Sequence, residues 1–360
     1  MSSIIHRVQQ QLASSPFEAL LLSSPSNITY VTNLSLFSTH ERDAFFLITH
    51  TRSYLFTHAL YIEEVKKQVQ GYTVIEITRE KPISLLIKDV LKTHTLRVLA
   101  FEETSLTVAE YLSLKKDLAP YRLTPSQGFI QTLRMTKSKS EIHALQKAIT
   151  LGDDTFSMIL HKIKPGISEQ EVAFEMEYYI KKQGAEVSFP TIVAFGPNAS
   201  VPHHQVGRKK VKNHDGILID FGIKFNNYCS DMTRTVCLGN PTDEFKKMYD
   251  TVYISQQKSI DLVFAGQEAR KVDQGAREYI LSQNFPTIPH SLGHGVGIDV
   301  HEMPRLSPKS RDILENNMAF TIEPGIYIPA VAGIRIEDII VLEKNTVDIL
   351  THAPKYLITL

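Results

Sequence analysis

Four acidic residues and a cluster of histidines in the second half of this chain have the types and spacing to hold divalent cations. Asp220 lies in Gly216-Ile217-Leu218-Ile219-Asp220-Phe221-Gly222-Ile223, and Asp231 in Tyr228-Cys229-Ser230-Asp231-Met232-Thr233-Arg234-Thr235-Val236. Two apolar strands joined by the polar turn 224–227 make a hairpin. A turn centred between Phe225 and Asn226 sets Asp220 directly opposite Asp231. Opposed residues of an antiparallel pair share a face, with Cβ atoms roughly 4.5–5.5 Å apart. Two carboxylates so close in a desolvated sheet do not both stay ionised unaided. A divalent cation between them is one resolution; a shared proton or a wetted face is the other.

The run 290–302 adds His290, His294 and His301 in a glycine-rich, apolar frame. Glycines let the backbone approach something closely, and imidazole is the commonest metal-binding side chain. One histidine in an apolar run reads as a satisfied core residue; three in this span weaken that account. There is no His-Glu-x-x-His pair, so the helical zinc-protease site is excluded. Glu323, in Thr321-Ile322-Glu323-Pro324-Gly325-Ile326-Tyr327, and Glu337, in Gly333-Ile334-Arg335-Ile336-Glu337-Asp338, each fall in or at the end of an apolar strand. Buried glutamates need partners, and Arg335 is the purely structural one on offer. Four carboxylates with one imidazole would also balance two dications and leave a bridging hydroxide as nucleophile. Hard oxygen ligands with a single imidazole suit manganese, cobalt or iron, with zinc possible. A centre of that composition polarises a carbonyl and acidifies water, which is hydrolytic chemistry.

The elements that must position these residues follow from apolar periodicity. Up to about residue 125, short apolar runs (19–22, 44–48, 53–56, 73–77) predict buried strands, and helical patterns fall at 62–69 and 82–92. That alternation predicts a small α/β domain. A polar stretch with Arg134, Lys137 and Lys139 then leads into an amphipathic helix over 141–164, stopped by Pro165-Gly166. Ser168-Glu169-Gln170-Glu171 is a capping box that starts the next helix, and Gly184 is its left-handed stop. Further helices are predicted at 243–264 and 271–282, and strands at 216–223, 228–238, 318–323 and 333–342. No internal repeat stands out.

Composition narrows the partners. The chain has 360 residues, enough for two domains, and 39 basic residues match 39 acidic ones, so no field favours nucleic acid or an anionic membrane. The one basic cluster, Arg208, Lys209, Lys210 and Lys212, reads as a solvated loop or a local substrate-facing group. Two cysteines, Cys229 and Cys237, make neither a disulfide framework nor a zinc knuckle and fit a reducing compartment. Residues 1–15 show no secretory leader, and no apolar run reaches membrane-spanning length. A cytoplasmic protein is expected.

Taken together, the motifs Leu-Ile-Asp220-Phe-Gly, Ser-Asp231-Met-Thr-Arg, Gly-His294-Gly, Ile-Glu323-Pro-Gly and Arg-Ile-Glu337-Asp resemble the metallopeptidase family of aminopeptidase P, prolidase and methionine aminopeptidase. Phe195-Gly196-Pro197-Asn198-Ala199-Ser200-Val201-Pro202-His203 adds to the match. Upstream, Ser24-Pro25-Ser26-Asn27-Ile28-Thr29-Tyr30-Val31-Thr32-Asn33 and Asp43-Ala44-Phe45-Phe46-Leu47-Ile48 are similar to the creatinase-type domain of proline peptidases, which methionine aminopeptidases lack. The resemblance implies an α+β chain: a creatinase-type α/β domain over 1–128 and a pita-bread catalytic domain over 129–360. It implies that Asp220, Asp231, His294, Glu323 and Glu337 ligate two divalent metal ions, Mn2+ first among the candidates, with Asp231 and Glu337 bridging. It makes Glu323 the proton acceptor and gives His203 and His301 the scissile carbonyl and its oxyanion. His204 repeats the histidine after Pro202, and His203 holds the matching position. His290, Arg335 and Tyr327 resemble specificity-pocket residues, with packing the alternative for His290 and Tyr327. The expected activity is a Xaa-Pro aminopeptidase acting on peptides with proline second. A Xaa-Pro dipeptidase is the near alternative, and a non-catalytic pita-bread peptide-binding protein the distant one. A homodimer is expected from the same resemblance.

Overall fold

The alternating apolar runs of the first third become strands of one mixed sheet. The computed structural model describes residues 4–360, so the first three residues, part of the stretch read above for a leader, lie outside the described residues. The chain divides into two compact units, Met1–Leu133 and Arg134–Leu360. In the first unit the order is α1 (Ile4–Ala13), β1 (Ala19–Leu22), α2 (Pro25–Thr32), β2 (Ala44–Thr49), β3 (Ser53–Thr57), α3 (Ala59–Lys67), β4 (Thr73–Glu76), α4 (Ile83–Thr93), β5 (Val98–Phe101), α5 (Val108–Asp117), β6 (Arg122–Pro125) and α6 (Phe129–Met135), whose last residues cross into the second unit. The strands lie in the order β4-β3-β2-β1-β5-β6, with β1–β2 and β2–β3 antiparallel and the outer pairings parallel. Leu86, Ile87, Val90 and Leu91 of α4 and Leu114 of α5 close the core against Leu21, Leu47, Phe56 and Leu99. Contrary to the sequence reading, β4 is a half-exposed edge strand rather than a buried one.

The second unit follows one plan twice. α7 (Lys139–Leu160) and α8 (Glu169–Lys182) back a sheet of β8 (Ile192–Phe195), β9 (Gly216–Phe221) and β12 (Met232–Cys237); the short β7 (Glu186–Val187), β10 (Ile223–Phe225) and β11 (Tyr228–Cys229) extend it as a second ribbon. α9 (Asp243–Asp261) and α10 (Ala269–Ser282) back a sheet of β13 (Gly293–Gly295), β14 (Glu302–Leu306), β15 (Ala319–Ile322), β18 (Asp338–Glu343) and β19 (Thr346–Ile349), beside the hairpin β16 (Gly325–Ile328)–β17 (Ala332–Arg335). Each helix pair turns through a glycine at positive φ, Gly166 at 90° and Gly266 at 93°. Each second helix is approached by an isolated bridge, Ser168 with Lys210 and Glu268 with Ile313. Two separate apolar cores result, one around Phe156, Val172, Met176, Val193 and Ile219, the other around Val252, Val272, Ala276, Phe320 and Ile340. This repetition lies in the fold and not in the letters.

The capping signals read from sequence are present. Ser168 with Glu171 forms the reciprocal capping box, and Gly184 has φ 75°; a second box, Ser138 with Glu141, starts α7 and was not read from the sequence. The strand expectations need correction in several places. The runs 216–223 and 228–238 split at Gly222 and at residues 230–231 into β9 and β10 and into β11 and β12, the pieces of each run lying in separate sheets. The hairpin turn is centred on Asn226-Asn227, both at positive φ (49° and 71°), with Phe225 paired to Tyr228. Asparagine tolerates that backbone and matches the strand twist, so the tight two-residue turn wins. The register is therefore two residues off the one expected: Asp220 pairs with Thr233, and Asp231 stands diagonally from it on the same face. The predicted strand 333–342 is broken at residues 336–337, so β17 joins β16 while β18 joins β15 and β19.

Candidate metal centre and active site

Each acidic residue of the set sits where a strand ends or a ladder slips. Asp220 is near the end of β9, Asp231 precedes β12, Glu323 lies between β15 and β16, and Glu337 between β17 and β18. At such breaks a side chain leaves the ladder and turns to the seam between sheets. Ligand oxygens of Asp220, Asp231 and Glu337 fall within 4.8 Å of one another, as do ligand atoms of His294, Glu323 and Glu337 and of Asp231, His294 and His301. His294 is held by its backbone: Gly293 and Gly295 have no room for a side chain, since a Cβ would stand 2.0 Å from the carbonyls of Thr321 and Met303 respectively. The glycines thus serve close packing of neighbouring backbone.

The imidazole of His294 is oriented as a ligand. Its Nδ1 lies 3.0 Å from the carbonyl of Gly295, which can only accept, so Nδ1 carries the proton. Nε2 then presents a lone pair 3.5 Å from Asp231 Oδ2 and 3.3 Å from Glu323 Oε1. Burial, then the neighbouring His301, pushes His294 down to about 4, so it is neutral near pH 7. A lone pair facing two carboxylates is repulsive unless a cation lies between.

The carboxylates make the same case. Burial, followed by the charges of Glu337 and Asp220, holds Asp231 well above the usual carboxylate range. Burial and then Glu337 raise Glu323 likewise. Glu337 is pushed up to about 7 by burial and then by Asp220. Asp220 Oδ1, Asp231 Oδ1 and Glu337 Oε1 are buried without a hydrogen-bond partner among the described residues. Buried carboxylate oxygens are normally paired, and three orphans on residues whose ligand oxygens cluster within 4.8 Å fit divalent cations.

The other carboxylate oxygens are fixed from behind. Thr233 Oγ1 donates to Glu337 Oε2 at 2.6 Å, and Thr321 Oγ1 donates to Glu323 Oε1 at 3.2 Å. Arg335 bonds Asp220 Oδ2, Thr233 Oγ1 at 2.9 Å and the Tyr327 hydroxyl at 2.7 Å. Tyr327 in turn lies 2.9 Å from Nε2 of His290, whose Nδ1 meets the Ser291 carbonyl at 2.8 Å. With Nδ1 protonated, Nε2 accepts from the tyrosine, and burial with Arg335 pushes His290 down to about 3. Arg335, Tyr327 and His290 therefore form one satisfied chain behind Asp220. The two threonines were missed from sequence, although Thr233, two residues after Asp231, shares its strand face.

Asp220, Asp231, His294, Glu323 and Glu337 line a cavity of about 690 Å³ together with the apolar Phe189, Pro190, Ile192, Pro202 and Val206. His203, His204, His290, His301 and Arg305 also line it. The two adjacent histidines differ. His204 Nε2 bonds the fully buried Glu169 at 2.9 Å, and Glu169 also takes the backbone N–H of Phe195 at 2.9 Å and the Asn198 amide at 2.8 Å. His203 is exposed to the cavity. Glu169 thus ties down the loop that presents His203, a role beyond the capping box read from sequence. The basic cluster stays on exposed or half-exposed loop, apart from Lys209 Nζ, which bonds the Phe195 carbonyl at 2.6 Å.

Two helix-backed sheets with carboxylates and a histidine converging at their seam define the pita-bread class of hydrolytic enzyme. A model of metallopeptidase family M24 matches residues 143–344, and one of the creatinase/prolidase N-terminal domain matches residues 4–136. The chain belongs to metallopeptidase family M24. It is 36% identical over 345 residues to the uncharacterized peptidase YqhT of Bacillus subtilis, covering 95% of this chain and 96% of that one. Among solved structures it resembles a Xaa-Pro dipeptidase from Bacillus anthracis (TM-score 0.91, 34% identity, 99% of both chains). It also resembles an X-Pro aminopeptidase from Thermotoga maritima (TM-score 0.90, 29% identity, 99% and 100% of the chains). A recombinant prolidase from Thermococcus sibiricus gives a TM-score of 0.89 at 35% identity, over 99% and 98%. The fold is a creatinase-type amino-terminal domain followed by the M24 pita-bread domain, and the chain is a peptidase by family. Among the described residues no helix is long and apolar enough to cross a membrane.

Proposed function

We propose that this chain is a metal-dependent Xaa-Pro aminopeptidase that hydrolyses the bond before a proline in second position. The observation that carries the reading is the set of three orphaned carboxylate oxygens on Asp220, Asp231 and Glu337, residues that line the cavity. In it Asp220, Asp231, His294, Glu323 and Glu337 hold two divalent ions, manganese first, with cobalt, iron or zinc as alternatives. Such ions supply Lewis acidity and acidify water. Glu323, as a carboxylate made more basic by burial and by the charge of Glu337, takes a proton from the attacking water and returns it to the leaving nitrogen. His203 and His301 donate to the carbonyl oxygen as it gains charge. The apolar wall of Phe189, Pro190, Ile192, Pro202 and Val206 suits a proline ring, which brings no N–H to satisfy. A homodimer in the cytoplasm completes the proposal.

A second reading, Xaa-Pro dipeptidase, is favoured by Arg305. Its exposed guanidinium lines the same cavity and bonds no carboxylate among the described residues, so it can meet the terminal carboxylate of a dipeptide. Hydrolysis of Gly-Pro and of a Gly-Pro-initiated tripeptide or longer peptide, with manganese, cobalt and zinc in turn, separates the two. Turnover of the longer peptides is expected; turnover of the dipeptide alone assigns the second reading. Turnover of neither, with any metal, removes both.

The adjacent histidines give a sharper test. His203→Ala is expected to lower kcat/KM by about 10²-fold or more at unchanged Tm, as loss of one oxyanion donor does. His204→Ala is expected to lower Tm, because it leaves buried Glu169 short of a partner. The reverse pattern would exchange their roles.

A further inference from the structure

A second group of buried charges lies away from the carboxylate cluster. Arg134 and Lys137 precede α7, while Asp299 and Glu302 flank His301. Glu302 Oε1 accepts from the Arg134 guanidinium and from the backbone N–H of Asp299 at 3.0 Å, and Oε2 accepts from Lys137 Nζ at 3.0 Å. Arg134 also bonds Asp299 Oδ2 at 2.7 Å, and Lys137 Nζ bonds the Arg134 carbonyl at 2.6 Å. The side chains of Arg134, Lys137 and Glu302 are only 6%, 1% and 5% exposed. Burial pushes Glu302 up, yet Lys137 and Arg134 together hold it at about 2, so it is a buried anion.

Apolar residues of the same volume would join these two segments at least as well, since the desolvation of buried ions offsets most of their attraction. What an apolar plug would not do is fix the path of the chain between residues 296 and 302. There the β13–β14 register slips: His294 faces Arg305, but Gly295 faces Glu302. The loop thrown out carries His301, whose ring stands edge-on to His294 with centroids 4.4 Å apart. Its turn is wrapped on the Glu302 carboxylate, so a Cβ on Gly297 would lie 2.7 Å from both oxygens. The Arg134 guanidinium and the Asp299 N–H are directional donors to Glu302, and with the Lys137 ammonium they restrain this loop at its second half, as Cys229 holds it at Gly297.

We propose that Glu302, clamped by Arg134 and Lys137, is a positioning residue that sets the His301 imidazole against the metal centre by fixing the loop 296–302. This rests on the reading above that His301 serves the reaction. Glu302 itself touches no reacting atom; it acts through His301.

The test uses the metal-loaded enzyme and the charge-balanced double variant Lys137→Met with Glu302→Gln, which removes one charge of each sign. Tm close to wild type is expected, with kcat down about 10–100-fold and KM little changed, as for loss of an orienting partner. The His301 ring resonance, assigned by its disappearance in His301→Ala, is expected to shift or broaden. In the His301→Ala background the same pair should lower kcat no further. A purely structural clamp predicts the opposite: the balanced pair restores kcat along with Tm and leaves the resonance in place, and either result overturns the proposal. An undiminished loss of kcat in the His301→Ala background overturns it too. Wild-type kcat in His301→Ala alone sinks the role given to His301 and not the clamp, which the ring resonance still decides. If the balanced pair does not fold, Glu302→Asp keeps the charge and shortens its reach. The same shift and loss of kcat are then expected, and their absence overturns the proposal.

Discussion

Glu323→Gln is expected to lower kcat/KM on an Xaa-Pro peptide by about 10³-fold or more, the scale for removing a proton-transferring group. The substitution keeps the side-chain volume and the contact of Oε1 with Thr321, and the backbone N–H of Glu323 still bonds the Leu292 carbonyl at 2.8 Å. What it removes is the ability to accept a proton. In the wild type, burial and then the charge of Glu337 raise Glu323 well above the usual carboxylate range, which strengthens it as a proton acceptor. The glutamine also removes one of four mutually repelling carboxylates, so the metal-free variant should melt no lower than wild type. Circular dichroism and steady-state kinetics check both halves. Wild-type turnover in a folded, metal-loaded variant would contradict the role.

The second large effect concerns the protein stripped of metal by a chelator. Hydrolysis should fall to background and return on adding Mn2+. The stability of the stripped protein should also depend on pH in an unusual direction. The folded state raises Glu337 from 4.5 to about 7, and raises Asp231 and Glu323 as well. Between pH 4.5 and about 7 the folded protein therefore holds protons that the unfolded chain has released, so stability falls as pH rises through this window. For Glu337 alone the loss is on the order of 3 kcal/mol by pH 7, a tenfold change in proton affinity being worth about 1.4 kcal/mol. Metal reverses the sign, because cations replace those protons and bind more tightly as pH rises. Thermal melts at pH 5 and pH 7.5, with and without Mn2+, measure the effect, and Glu337→Gln should flatten the metal-free slope. A metal-free Tm that rises over this interval would show that the carboxylates are hydrated rather than buried.

Much of this was legible because ligand chemistry is local in sequence. Asp220, Asp231, Glu323 and Glu337 each announce themselves as a charge inside an apolar run, and a capping box marks where α8 begins. Register was not legible to the same degree. Choosing between a turn centred at residue 225 or 226 and one at 226–227 needs the φ preference of two asparagines, and it decides whether Asp220 faces Asp231 or Thr233. The break of strand 333–342 was hidden as well, because both halves are apolar and only their sheet partners differ. Least visible were contacts across long separations. Arg134 and Glu302 are 168 residues apart, and nothing near either one indicates the other. Glu169 read as part of a capping box and turned out to hold the loop of His203 from inside.

The Asn226-Asn227 turn lies on the surface, where gain or loss of a residue is usually tolerated. Here a single inserted residue would displace every following position by one until a bulge absorbed it. If the ladder absorbed it only after residue 231, that aspartate would swing to the opposite face of the sheet, into the apolar core around Ile219 and Val236. Among homologues, chain length across this exposed turn should therefore be held as tightly as the identity of the aspartate behind it. A loop-length survey would detect that constraint even where the turn residues themselves have drifted.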